Sequence, residues 1–154
     1  MKYGIATFVT DETIGAAELG RLLEERGFES VWLPEHTHIP VRRETPYPGG
    51  TELPREYYRS LDPFIALTAV AEATEELVLG TAVCLIGQHD PIVLAKTAAS
   101  LDLISGGRLA LGIGAGWNRE EMRNHGVDPK KRFTTMREKV EAVKALWTQE
   151  QASY

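Results

Sequence analysis

Four histidines are present in the chain, and two of them stand in the run Glu35-His36-Thr37-His38. An imidazole titrates near neutrality, so it suits proton exchange with a bound reactant or ligation of a metal. An H-x-H pair at a strand end could hold a divalent cation, with Glu35, His89 or His125 completing the shell. No second carboxylate–histidine pair recurs at metal-ligand spacing, so the expectation is no metal site. His36 is read as a proton donor and acceptor; the alternative for His36 and His38 is simple hydrogen bonding within their loop. A second chemical signal is Gly112-Ile113-Gly114-Ala115-Gly116-Trp117-Asn118. Alternating glycines let a planar or phosphorylated ligand approach the backbone, or let two strand ends pack closely. The run is not a dinucleotide fingerprint, which needs glycine where Trp117 stands. A third is Gly80, inside Leu79-Gly80-Thr81-Ala82-Val83, where glycine marks a bulge or a close approach. No G-x-S-x-G elbow, P-loop or C-x-x-C is present.

These residues must be carried by a regular framework. Short continuous apolar runs at Gly4–Val9, Ser30–Leu33, Leu77–Leu85 and Arg108–Ile113 read as strands buried on both faces. Between and after them lie helical patterns at about 14–26, 63–74, 91–104 and 129–148. The last three begin with Asp62-Pro63, Asp90-Pro91 and Asp128-Pro129, each an N-cap carboxylate before a proline at the first helical position. In the last helix Phe133, Met136, Val140, Val143 and Trp147 fall on one face and are expected inward. Four βα units in succession imply parallel strands joined by crossovers, in an open doubly wound sheet or in part of a (β/α)8 barrel. Both folds place their sites at the C-terminal strand ends. There the segment from Pro34 to Ser60 stands out. It holds five of the eight prolines, with Tyr47, Tyr57 and Tyr58 available to cover a ligand.

Composition narrows the function further. With 17 basic and 22 acidic side chains the net charge is −5, which argues against a nucleic-acid binder. The 43% hydrophobic and 25% charged fractions are those of a globular domain. No signal peptide or membrane-length apolar run is evident, and Cys84 has no disulfide partner, so a reducing, cytoplasmic compartment is expected. Against a full barrel of about 250 residues, 154 is too few. As a barrel, residues 1–154 would form the N-terminal half of one domain with no second domain. Such a chain would be a fragment or pair with another half.

The succession Gly27-Phe28-Glu29-Ser30-Val31-Trp32-Leu33-Pro34-Glu35-His36, Leu61-Asp62-Pro63, Leu79-Gly80-Thr81, Ser105-Gly106-Gly107-Arg108 and Gly112-Ile113-Gly114-Ala115-Gly116-Trp117-Asn118-Arg119-Glu120-Glu121 resembles the luciferase-like monooxygenases. The likeness is greatest to the branch that uses the deazaflavin coenzyme F-420. It implies a (β/α)8 barrel holding F-420, or alternatively FMN, across its C-terminal mouth, and a homodimer for the full barrel. It further implies Glu35 and His36 beside the ring, and a bulge at Gly80, Thr81, Ala82 and Val83 behind it, often with a non-proline cis peptide. Ala115, Gly116, Trp117 and Asn118 would form the opposite loop. Some deazaflavin dehydrogenases of this family carry a catalytic glutamate where this chain has Trp117, which leaves His36 as the acid/base candidate, with Glu35 expected to orient it. The alternative from another class is a metal-dependent hydrolase built on His36 and His38.

Overall fold

A computed structural model describes residues 1–153. Four strands form one parallel sheet: β1 (Gly4–Ala6), β2 (Ser30–Leu33), β3 (Val78–Thr81) and β4 (Leu109–Ala110), in the spatial order β1-β2-β3-β4. The register pairs Ile5 with Val31, Val31 with Leu79, and Leu79 with Leu109. Every crossover therefore adds its strand on the same side. A doubly wound sheet reverses direction at a switch point, whereas a barrel accumulates strands one way round, so the order selects the barrel.

The helices are α1 (Ala16–Glu25), α2 (Pro63–Ala73), α3 (Pro91–Ile104), α4 (Arg119–Asn124) and α5 (Arg132–Thr148), with 3₁₀ turns at Arg55–Tyr58 and Ile86–Gln88. Two of the three Asp-Pro starts behave as the sequence predicts. Asp62 Oδ1 accepts from Ile65 N at 3.0 Å, and Asp90 Oδ1 accepts from Ile92 N and Val93 N. The third does not. Asp128 Oδ1 takes Lys130 N and Asp128 O takes Lys131 N, which closes one tight turn before α5 starts at Arg132. The core lies between sheet and helices, around Val31, Leu33, Leu67, Val70, Leu79, Leu94 and Leu101. Of the five residues of α5 expected inward, Val143 is buried, and Met136 and Val140 pack half-buried against the core. Phe133 is 60% exposed beneath the Arg132 guanidinium, and Trp147 is 46% exposed with Nε1 donating to Ala95 O.

The strands are shorter than their apolar runs because the ladder is interrupted at the strand ends. Past β3 the Ala82–Val83 peptide is cis, and the ladder resumes with Cys84 N donating to Gly112 O and Gly114 N to Cys84 O. The two strand ends approach so closely that a Cβ on Gly112 would meet Thr81 O at 2.2 Å, and one on Gly114 would meet Val83 Cγ2 at 2.4 Å. At the opposite end of the sheet, two side chains clamp the framework. Glu24 accepts from the backbone N–H groups of Glu75, Glu76 and Leu77. Burial alone would raise its carboxyl, but those three donors together hold it below its ordinary range. Arg108 donates to Ala71 O, Thr74 O, Thr74 Oγ1, Leu77 O and Ser105 O, tying the C-termini of α2 and α3 together.

Candidate active site

The C-terminal ends of β2, β3 and β4 converge on a cavity of about 270 Å³ lined by Pro34, Glu35, His36, Tyr57, Ala82, Val83, Leu85, Gly116 and Trp117. Each segment arrives there for a local reason. The Pro34–His36 segment leaves β2, Val83 follows the cis peptide at 38% exposure, and Gly116 takes a positive φ of 80° before Trp117. Of the residues singled out from the sequence, Glu35, His36, Ala82, Val83, Gly116 and Trp117 line the cavity, and Gly80, Thr81, Ala115 and Asn118 do not. Gly80 instead makes room for an indole, since a Cβ there would lie 2.0 Å from Trp32 Cε3. Thr81 is fully buried and donates to Gly112 O at 2.7 Å. Asn118 caps α4, with Oδ1 accepting from Glu121 N.

His36 sits in an aromatic frame, its ring centroid 5.2 Å from Tyr57 and 5.8 Å from Trp117. The expected partnership with Glu35 is absent. Glu35 is 3% exposed; its Oε2 accepts from Leu85 N at 2.5 Å and its Oε1 lies 2.7 Å from His89 Nε2. Both carboxylate oxygens are thus committed to the segment after β3. Burial by itself would raise the Glu35 carboxyl, but the His89 ring, the Leu85 amide and the Cys84 thiol hold it below its ordinary range. The carboxylate beside His36 is Glu121, with Oε2 2.9 Å from His36 Nδ1; the His36 side chain is 6% exposed and that of Glu121 1%. Glu121 stands on α4, a helix the hydrophobic pattern did not reveal. The available signal was Asn118-Arg119-Glu120-Glu121, whose N-cap and N3 residues have capping-box spacing.

The histidines are not assembled as a metal pair. His38 bonds Thr37 Oγ1 through Nδ1 and Asn124 Nδ2 through Nε2, while His125 Nε2 lies 2.7 Å from Thr37 Oγ1. Burial, and then the nearby His38, lower the His125 ring from its ordinary value. The group of three potential ligands close enough for one ion among the described residues is Glu35, Cys84 and His89, which includes neither His36 nor His38. The long loop folds back over the site. Tyr57 donates to the Tyr47 hydroxyl at 3.3 Å, and burial followed by that neighbour pushes the Tyr57 phenol up to about 12. The Arg43 guanidinium lies 5.4 Å from the centroid of Trp117. A planar aromatic ligand fits these surroundings: the cavity offers aromatic edges, an apolar patch at Ala82 and Val83, and the bare backbone of Gly116.

A one-way parallel sheet with a cavity beyond its strand C-termini is the arrangement of four consecutive βα units of a (β/α)8 barrel. The family model described as luciferase-like monooxygenase matches residues 7–154, and the chain belongs to that family. It is 48% identical over its whole length to an uncharacterised protein of Mycobacterium tuberculosis, of which it covers 56%. It is 31% identical, over 85% of this chain and 37% of the relative, to a coenzyme F-420-dependent glucose-6-phosphate dehydrogenase of Amycolatopsis mediterranei. Among solved structures, a monooxygenase from Streptomyces bottropensis superposes with a TM-score of 0.80 at 30% identity, over all of this chain and 45% of that one. The chain thus spans about half the length of the proteins it matches. The Amycolatopsis relative carries F-420 in its name, and a Pseudomonas putida monooxygenase that shares the fold at 20% identity and a TM-score of 0.76 was solved in complex with FMN. Among the described residues no helix is long and apolar enough to cross a membrane.

Proposed function

We propose that this chain forms the N-terminal half of the active site of a coenzyme F-420-dependent oxidoreductase acting on a small organic molecule, with His36 exchanging the proton that accompanies the redox step. The observation that carries this reading is the buried imidazole of His36, held between Tyr57 and Trp117 on the wall of the cavity at the strand ends. Ala82, Val83, Gly116 and Trp117 would hold the ring system. When bound, the deazaflavin supplies the two-electron chemistry that no side chain provides. Trp117 and Tyr57 exclude water from the His36 ring, and Glu121 keeps that ring in place. Glu35 acts at one remove, fixing Leu85 and His89 and so the segment that carries Val83. A homodimeric, cytoplasmic full barrel belongs to the same proposal.

FMN is the alternative occupant, and one titration separates the two. Tryptophan fluorescence is followed while coenzyme F-420 or FMN is added to the protein and to its Trp117→Phe variant. F-420 is expected to quench the protein, with most of the quenching lost in the variant. Quenching by FMN alone would replace deazaflavin with flavin, and quenching by neither would overturn the cofactor site.

A further inference from the structure

We infer that Glu121 is a positioning residue that fixes which nitrogen of His36 carries the proton, leaving Nε2 as the basic atom at the cavity. The inference rests on the assignment of His36 as the acid/base group. An ionised carboxylate only accepts hydrogen bonds, so a contact of 2.9 Å from Glu121 Oε2 to Nδ1 requires the ring proton on Nδ1. Nε2 has no hydrogen-bond partner among the described residues, and the ring lines the cavity. The neutral ring then offers its lone pair at Nε2, and after accepting a proton it remains anchored through Nδ1.

Local structure does not explain why Glu121 points this way. It occupies the N3 position of α4, three residues after the N-cap Asn118. A glutamate there ordinarily reaches back to the N-cap backbone amide, as the reciprocal half of a capping box. Here the Asn118 side chain caps Glu121 N, while the Glu121 carboxylate leaves the helix for a residue 85 positions earlier. Its second oxygen, Oε1, is buried without any hydrogen-bond partner, as is Asn118 Nδ2. A 1% exposed carboxylate with one oxygen unsatisfied is unfavourable for folding. The polar group it serves is His36, and the contact joins the segment after β2 to α4, beside the Thr37–His125 and His38–Asn124 hydrogen bonds.

The test reads the tautomer directly and needs no cofactor. The chain is labelled with ¹⁵N-histidine, and long-range ¹H–¹⁵N correlations are recorded at alkaline pH, His36 being assigned by its loss in His36→Asn. The unsubstituted protein is expected to show a pyrrole-type Nδ1 and a pyridine-type Nε2. Glu121→Leu, which keeps bulk but removes the acceptor, is expected to make the Nε2–H form the major one. Glu121→Gln, whose amide oxygen still accepts, is expected to retain the Nδ1–H form. An Nε2–H ring in the unsubstituted protein overturns the inference whether or not the leucine variant folds, and so does an unchanged tautomer in a folded Glu121→Leu. A tautomer that responds as expected in a protein that binds neither F-420 nor FMN would leave the positioning role standing and remove the cofactor reading.

Discussion

Replacing Glu35 by alanine should be among the most damaging single changes available to this chain, although the side chain does not touch His36 through a hydrogen bond. The substitution removes the acceptor of Leu85 N–H, and Leu85 is only 4% exposed, so that donor has no access to water. An orphaned buried amide costs about 1–3 kcal/mol. The His89 side chain is 21% exposed and can turn to solvent, so its share is smaller, about 0.5–1.5 kcal/mol for one hydrogen bond. The void left by the buried carboxylate and its methylenes adds about 1 kcal/mol. Together these give about 2.5–5.5 kcal/mol, which brackets the cost of about 3–5 kcal/mol for deleting one partner of a buried pair. Glu35→Gln keeps the shape and one acceptor and should lose about half as much. Urea unfolding followed by far-UV circular dichroism at neutral pH measures both. A loss below about 1 kcal/mol for Glu35→Ala would refute the reasoning, because it would mean that the Leu85 amide finds another acceptor. The pH dependence gives a second check. The Glu35 carboxyl is held below its ordinary value of 4.5, so its contribution is present in full above that pH and is lost as the pH falls through the lowered folded value. The gap between the protein and Glu35→Gln should narrow over that acid range and stay constant above it.

Two other expectations concern the whole framework. Arg108→Ala frees four backbone carbonyls and the Thr74 hydroxyl at the base of the sheet and should lower stability by about 3–4 kcal/mol, with Arg108→Lys intermediate because one ammonium cannot span those acceptors; thermal unfolding reads the difference. The His125 ring is lowered from 6.5 by burial and by His38, so the native state resists its protonation: its contribution is complete above that value and declines as the pH falls below it toward the lowered folded value, and His125→Gln should flatten the stability curve on the acid side of pH 6.5 in denaturant titrations.

Much of the scaffold is written locally. The continuous apolar runs place all four strands, and Asp62-Pro63 and Asp90-Pro91 place two helix starts to the residue, because caps act through donors only two or three positions away. Asp128-Pro129 carries the same signal yet closes an isolated turn, since a cap can be satisfied without the helix continuing from it. The face of α5 shows the same limit. Phe133 and Trp147 have helical spacing with Val143, but burial depends on what packs alongside: Ala142, Val143 and Ala145 are buried, Met136 and Val140 pack half-buried against the core, and Phe133 and Trp147 stay largely exposed.

The sequence by itself determined the βα succession, the segments at the strand ends, and the presence of His36, Val83, Gly116 and Trp117 among the residues gathered there. Tertiary structure decided between a barrel and a doubly wound sheet, because strand order is set by which edge each crossover returns to. It also decided that Gly80 receives the Trp32 ring, and that Gly112 and Gly114 serve strand packing while Gly116 lines the cavity. Most consequentially, it exchanged the carboxylate of His36: the adjacent Glu35 turns toward Leu85 and His89, and Glu121 arrives from 85 residues away. Sequence neighbours at a strand end point to different sides, whereas residues at the ends of separate parallel strands are brought together by the sheet itself.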